Sequence, residues 1–243
     1  MKADKLDTNS KAKGRPAVQN LVDVVTSRRS IRAFLPDPVP REQIEKILKI
    51  ASRAPSGTNT QPWKVYVVSG KARVALSAEI LTAFMNDEDH QFEFSYYPKE
   101  IGEPYLARRR ANGWGLYGTI GIVKGDRARM KEQHGRNYKF FDAPTGLIFT
   151  IDRHLEIGSW FDYGMFLQSI MLLARSFGLD TCPQQAFAQY HKIIQHRLSI
   201  PKDEMVICGM ALGYADMRAP ENSYVTDREP VGDFAQFVDN LAK

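Results

Sequence analysis

The chain reads as an α+β or α/β sandwich because segments of helical periodicity alternate with short apolar, β-branched runs, and two of those runs, Thr145–Ile151 and Met205–Leu212, have the composition of buried strands. Strands of that kind need covering on both faces, and the intervening helices are the elements that can do it. With 243 residues, 43% of them hydrophobic, the chain can bury one substantial core. We read one domain from 19 to 243, preceded by a polar tail, 1–18, whose composition predicts disorder.

Val18, Leu21, Val22 and Val25 recur at helical spacing and predict a helix over Val18–Arg29. Pro36, Pro38 and Pro40 make an extended linker into a second helix, Arg41–Arg53, with Ile44, Ile47, Leu48 and Ala51 on one face and Pro55 and Gly57 ending it. Trp63–Ser69 reads as a strand and Lys71–Met85 as a helix. Residues 86–139 lack regular periodicity but are too aromatic for a disordered linker, and we read them as a lid-like insertion. After the Thr145–Ile151 strand, Ser159 and Asp162 have capping-box spacing and start an almost wholly apolar core helix, Tyr163–Phe177, that Gly178 ends. Met205–Leu212 is the last strand.

Charge and cysteine usage exclude several classes. Lys2, Lys5, Lys11, Lys13 and Arg15 against Asp4 and Asp7 place +3 of the net +5 in the first fifteen residues, so the body is nearly balanced. The run Arg108–Arg110 lacks an aromatic ladder, and no nucleic-acid partner is expected. Cys182 and Cys208 are too few for a disulfide scaffold, and neither an apolar leader nor an eighteen-residue apolar run is present. The expectation is a cytoplasmic protein without a membrane partner. His191 and His196 are five apart, off the spacing of a helical metal pair, and no metal site is expected. Gly115, Gly118 and Gly121 follow no strand and so make no dinucleotide fingerprint, and there is no G-x-S-x-G elbow.

Two motifs carry chemistry. Ser27-Arg28-Arg29-Ser30-Ile31-Arg32-Ala33-Phe34 sets three guanidiniums and hydroxyls together, suited to bidentate contact with a phosphate. The same residues also fit a solvated helix end. Ala54-Pro55-Ser56-Gly57-Thr58-Asn59-Thr60-Gln61-Pro62-Trp63 follows one helix later, and taken alone is a turn. Together, in this order and separation, they resemble the opening R-[RH]-S-x-[RK]-x-[FY] and P-S-x-x-N-x-Q-P-W segments of the FMN-dependent nitroreductase family, and the resemblance extends from about Leu21 to Phe237. Within 86–139, Glu103-Pro104-Tyr105, Arg108–Arg110 and Leu116-Tyr117 with Gly121-Ile122 are similar to members that reduce nitrobenzoate-like substrates.

The resemblance implies an α+β sandwich of helices on a central mixed sheet. It also implies an intertwined homodimer, in which about 220–243, chiefly Val225–Phe237, embraces the partner and FMN lies at the interface. It assigns Arg28, Arg29, Ser30 and Arg32 to the phosphate and ribityl chain, joined by Arg228 before Pro230, with Thr226 where the family carries a lysine. Pro55, Ser56, Gly57 and Asn59 would reach the flavin of the other protomer. Pro183, Gln184, Gln185 and Ala186 match the loop whose amides face flavin N5, with Gln185-Ala186 replacing a frequent Glu-Gly pair, and Asn137 aligns with a pyrimidine-edge residue.

The implied reaction is a ping-pong cycle: NAD(P)H delivers hydride to N5 and a small nitroaromatic then takes its place, with no obligatory side-chain acid or base. Tyr97, Tyr105, Trp114 and Tyr117 are the candidates to stack on the arene, and Arg108–Arg110 to attract a carboxylate. The alternatives are the same fold and cofactor with a quinone, activated alkene, flavin or halophenol as acceptor, or a flavin-binding protein without turnover.

Overall fold

A computed structural model of the protein describes residues 14–240. Four strands, β1 (Lys64–Ser69), β2 (Thr145–Asp152), β3 (Asp180–Gln184) and β4 (Glu204–Gly213), form one sheet in the order β1-β2-β4-β3. All three pairings are antiparallel. The α+β class therefore holds, while the expected mixed character reduces, among the described residues, to a single parallel bridge between Ser30 and Thr181.

The two central strands are buried along almost their whole length, which is why their sequences run apolar without alternation. Leu147, Phe149 and Ile151 of β2 face the helices α2 (Arg41–Ala51) and α6 (Ile157–Ser176), where they meet Ile44, Ile47, Tyr163, Phe166 and Ile170. The opposite face packs on α3 (Gly70–Met85) through Leu76 and Ile80, and on Tyr138, Phe140 and Phe187. Register jumps between Phe149 opposite Cys208 and Thr150 opposite Val206, so Ile207 is the extra residue of a bulge. That bulge puts Ile207 and Cys208 against the same core layer.

Gly146 and Gly209 leave no side chain on the α3 face, and a Cβ at either would run into the rings of Phe140 and Phe187 respectively. Those rings stack on each other with centroids 4.3 Å apart. The pair seats the Gln185–Tyr190 3₁₀ turn that follows β3.

Elsewhere the structure departs from the expectations. The first helix, α1, is only Leu21–Ser27, capped by Asn20, whose side chain accepts from Val22 N at 2.9 Å. Its expected apolar face is not core: Val24 is buried, whereas Leu21, Val22 and Val25 are exposed. Residues 1–13 of the expected disordered tail lie outside the described residues. From Gly14 onward the tail is docked, with Arg15 paired to Asp180 at 2.9 Å and Arg175 Nη2 donating to Pro16 O at 2.6 Å.

The 86–139 insertion contains α4 (Tyr105–Thr119) and α5 (Arg127–Gly135). Helix α4 has no buried residue, so no apolar stripe marked it in the sequence. Helix α6 starts at Ile157, before the expected Ser159 cap, and Asp162 instead accepts from Gly57 N at 3.0 Å. β3 arises where a loop was expected, and Pro183 is tolerated there because β3 is an edge strand; α7 (His191–Leu198) follows. His191 is buried, with Nδ1 3.2 Å from Glu93. Among the described residues no helix is long and apolar enough to cross a membrane, and no cluster of three metal-ligating side chains occurs.

Candidate cofactor site

Helix α1 ends at Ser27 because Arg28 turns to extended backbone, φ −62° and ψ 129°. The arginines thus leave the helix and enter a segment held from both sides. Ile31 N donates to Thr181 O at 3.0 Å, which ties the segment to the start of β3. On its other side Leu35 N donates to Tyr214 O at 2.8 Å and Asp216 N to Ala33 O at 3.0 Å. The chain beyond Tyr214 returns across this segment and brings Arg228 to it.

Arg28, Arg29, Ser30, Arg32, Thr226 and Arg228 line one cavity of about 510 Å³. Sequence reasoning had joined these residues by motif alone; the fold joins them in space. Among the described residues none of the four guanidiniums forms an ion pair with a carboxylate, whereas Arg15 and Arg108 do. Burial, and then the like charge of Arg228, lower the Arg28 pKa. Burial and then Arg15 lower that of Arg29, which Asp180 partly restores. With no carboxylate lining the cavity and only Asp180 acting on Arg29 from outside it, the clustered cations repel one another, and a bound anion would relieve that repulsion. Thr226, in the lysine's place, accepts from Arg228 Nη1 at 2.7 Å and so orients that guanidinium.

From Thr181, β3 carries the chain to Gln184, roughly 10 Å along a strand. Gln185 and Ala186 then open a 3₁₀ turn that no side chain caps, leaving its first amides as donors. The Gln185 side chain is turned away and donates to Ile207 O, so the backbone is what this residue presents. Pro183 is exposed. Gln184 is buried, and its Nε2 donates to Asn137 O at 2.7 Å. Asn137 is thus beside the loop as expected, but its own side-chain amide donates to His134 O at 2.9 Å and is engaged within the fold.

Pro55, Ser56, Gly57 and Asn59 do not line the arginine cavity. They form an exposed turn over the start of α6, in which Ser56 Oγ accepts from Gln61 N at 3.0 Å. Thr58, Asn59 and Gln61 all have positive φ, of 49°, 60° and 50°, an unusual cost for a β-branched residue such as Thr58.

The lid aromatics do not converge on the cavity either. Trp114 and Tyr117 pack edge to face at 5.9 Å on α4, Tyr105 is exposed, and Tyr97 lies 4.4 Å beneath the Arg109 guanidinium. Arg108 is engaged by Glu229 at 2.7 Å. What α4 contributes to the cavity is Asn112, with Tyr224 alongside; the Tyr224 ring occupies the space a side chain on Gly115 would need. Gly115 is therefore a packing glycine within a helix. Cys182 and Cys208 are both buried, and burial pushes their thiols up, to about 11 and about 12, which favours the protonated form of each at neutral pH.

The antiparallel sheet between two helical layers thus carries, at one end of β3, an arginine cavity with no carboxylate in its lining and, at the other, amides that no side chain caps, a layout suited to a phosphorylated ligand. The chain belongs to the nitroreductase family, whose sequence model matches residues 25–214. It is 44% identical over 217 residues to a 4-nitrobenzoate reductase of Pseudomonas putida, covering 88% of this chain and 94% of that protein. It is 40% identical over 217 residues to a chloronitrobenzene nitroreductase of Comamonas testosteroni, covering 89% and 96%. The crystal structure of an FMN and NADPH-dependent nitroreductase from Sphigopyxis sp. strain HMH superposes with a TM-score of 0.88 at 34% identity, over 91% of this chain and all of the other.

Proposed function

We propose that this protein is an FMN-dependent oxidoreductase that uses NAD(P)H to reduce small nitroaromatic compounds, nitrobenzoates among them. The observation that carries the reading is the convergence of Arg28, Arg29, Arg32 and Arg228 in one cavity free of carboxylates. These residues fit a phosphate, and the cavity leaves room for a polyol chain beside Ser30 and Thr226. FMN, when bound there, supplies the hydride chemistry, and the protein supplies position and electrostatics. The amides of Gln185 and Ala186, which no side chain caps, would serve as donors to the ring of a bound flavin and would stabilise negative charge on it, as an oxyanion hole does.

Two features support a homodimer. Ile157, Phe161 and Met165 form an exposed apolar stripe along α6, 73%, 72% and 40% accessible. Val225, Val231, Phe234 and Phe237 are likewise exposed in the C-terminal segment, and a second copy is the surface that would cover them. In such a dimer the strained turn with Ser56 and Asn59 reaches the partner's cofactor, while Tyr97, Tyr105, Trp114 and Tyr117 of the lid meet the arene.

An anaerobic visible spectrum of the purified protein tests the reading. A flavin band that bleaches on adding NADPH or NADH and returns on adding 4-nitrobenzoate is expected. Return with a quinone or oxygen but not with nitroarenes would remove the substrate claim, and protein that takes up no FMN would overturn the whole proposal. Light scattering during gel filtration should give twice the 27.6 kDa chain mass.

A further inference from the structure

We propose that Asn222 is the positioning residue that assembles the four-arginine cavity from the two ends of the chain. The inference rests on the reading of that cavity as the FMN phosphate site. Arg28–Arg32 and Arg228 come from opposite ends of the fold, and something must hold those ends in register. Asn222 is 2% exposed. Its Oδ1 accepts from Arg32 N at 2.7 Å, and its Nδ2 donates to Ala33 O at 2.8 Å and to Asp216 O at 2.9 Å. Its own carbonyl accepts from Arg29 Nη1 at 3.5 Å.

One carboxamide thus clips the arginine segment to the loop that leads, six residues on, to Arg228. Neighbouring polar side chains of this loop do something different. Ser223 bonds to Pro220 O, and Arg218 to Asp216, all within the loop itself. The pattern also requires an amide. A carboxylate at 222 would face two carbonyl oxygens, and an aliphatic group would leave the buried Arg32 N–H without its acceptor. The backbone bonds Leu35–Tyr214 and Asp216–Ala33 do not involve the Asn222 side chain, so they remain to hold the loop on the body when that side chain is removed.

Phosphate selectivity separates positioning from general stability. Dissociation constants of the full-length apoprotein for FMN and for riboflavin, which lacks only the phosphate, are measured by flavin fluorescence for wild type, Asn222→Ala and Asn222→Ser, with circular dichroism to verify folding. For Asn222→Ala we expect FMN affinity to fall about tenfold or more while riboflavin affinity stays within about twofold, with Asn222→Ser in between. Equal losses for both ligands, or no loss for either, would overturn the proposal. Should Asn222→Ala not fold, the FMN-to-riboflavin ratio of Asn222→Ser decides in the same way; if neither folds, Asn222 is a residue of the fold and the positioning role is refuted. Wild-type protein that binds riboflavin as tightly as FMN would instead refute the phosphate reading and this inference with it.

Discussion

The arginine segment and the lid helix α4 border the same cavity and are held in opposite ways. Residues 30–35 are sewn by backbone hydrogen bonds to β3 and to the chain after β4, with Ile31 and Phe34 buried beneath them. Helix α4 buries no residue and is fastened by side-chain tips: Arg108 on Glu229, Arg109 over Tyr97, and Tyr224 against Gly115. In the proposed function the cofactor phosphate is held by the part of this border that is tied into the sheet, and the substrate side by the part fastened only through side-chain tips.

The largest effect should fall on the sewn side. Arg28→Ala and Arg228→Ala are each expected to weaken FMN binding about 10- to 100-fold, read by fluorescence quenching, because each removes charge-assisted contacts from a cavity whose lining holds no carboxylate. Arg110→Ala should leave that affinity unchanged; an equal loss there would erase the contrast.

Two glycines give a steric version of the test. Gly209→Val drives a side chain into Phe187, which is wholly buried, and should cost about 1–3 kcal/mol of stability, visible as a lower Tm. Gly115→Val meets the far end of Tyr224, a partly exposed ring that can swing aside, so Tm should hardly change while KM for the nitroarene shifts. A comparable loss of Tm in both would mean that α4 is as firmly built in as the sheet.

Within the lid, Arg109→Ala should raise KM for 4-nitrobenzoate about two- to fivefold and leave neutral nitrobenzene unaffected. Arg108→Ala should do less, since Glu229 already neutralises that guanidinium. Identical effects on charged and neutral substrates would assign Arg109 to packing on Tyr97 alone.

The smallest effect concerns Asp180. Burial outweighs its pairing with Arg15 and pushes the carboxyl up to about 6. A raised carboxyl takes up a proton on folding between its unfolded value, near 4, and about 6, so its ionised form costs stability above that window. The stability of wild type relative to Asp180→Asn should therefore improve as pH falls from 7 to 5, measured by thermal unfolding. A difference that stays flat with pH would mean that Arg15 and Arg175 keep Asp180 ionised throughout.

Most of the sheet was legible because β1, β2 and β4 are β-branched or apolar runs, and α2 because Ile44, Ile47 and Ala51 share one buried face. α4 was not, since a helix of arginines and glycines with nothing buried leaves no periodic trace. β3 was missed because it is five residues long and contains a proline. The same limits apply to the site. Arg28, Arg29, Ser30, Arg32 and Arg228 are visible because chemistry dictates their types, whereas Asn222 looks like any loop asparagine and acquires its role only from the backbone groups around it.

Composition and periodicity by themselves narrowed the fold to an α+β or α/β sandwich, and the two motifs supplied the family resemblance, which implies α+β, and the candidate anion-binding residues; all of these depend on residue type and local spacing. Tertiary structure alone decided that β3 spans from the arginines to the uncapped amides, that Arg108 is paired with Glu229, and that Asn137 is used internally. Those outcomes depend on contacts between residues far apart in the chain. Such contacts are set by how the sheet and its two helical layers close on each other, and no local pattern encodes them.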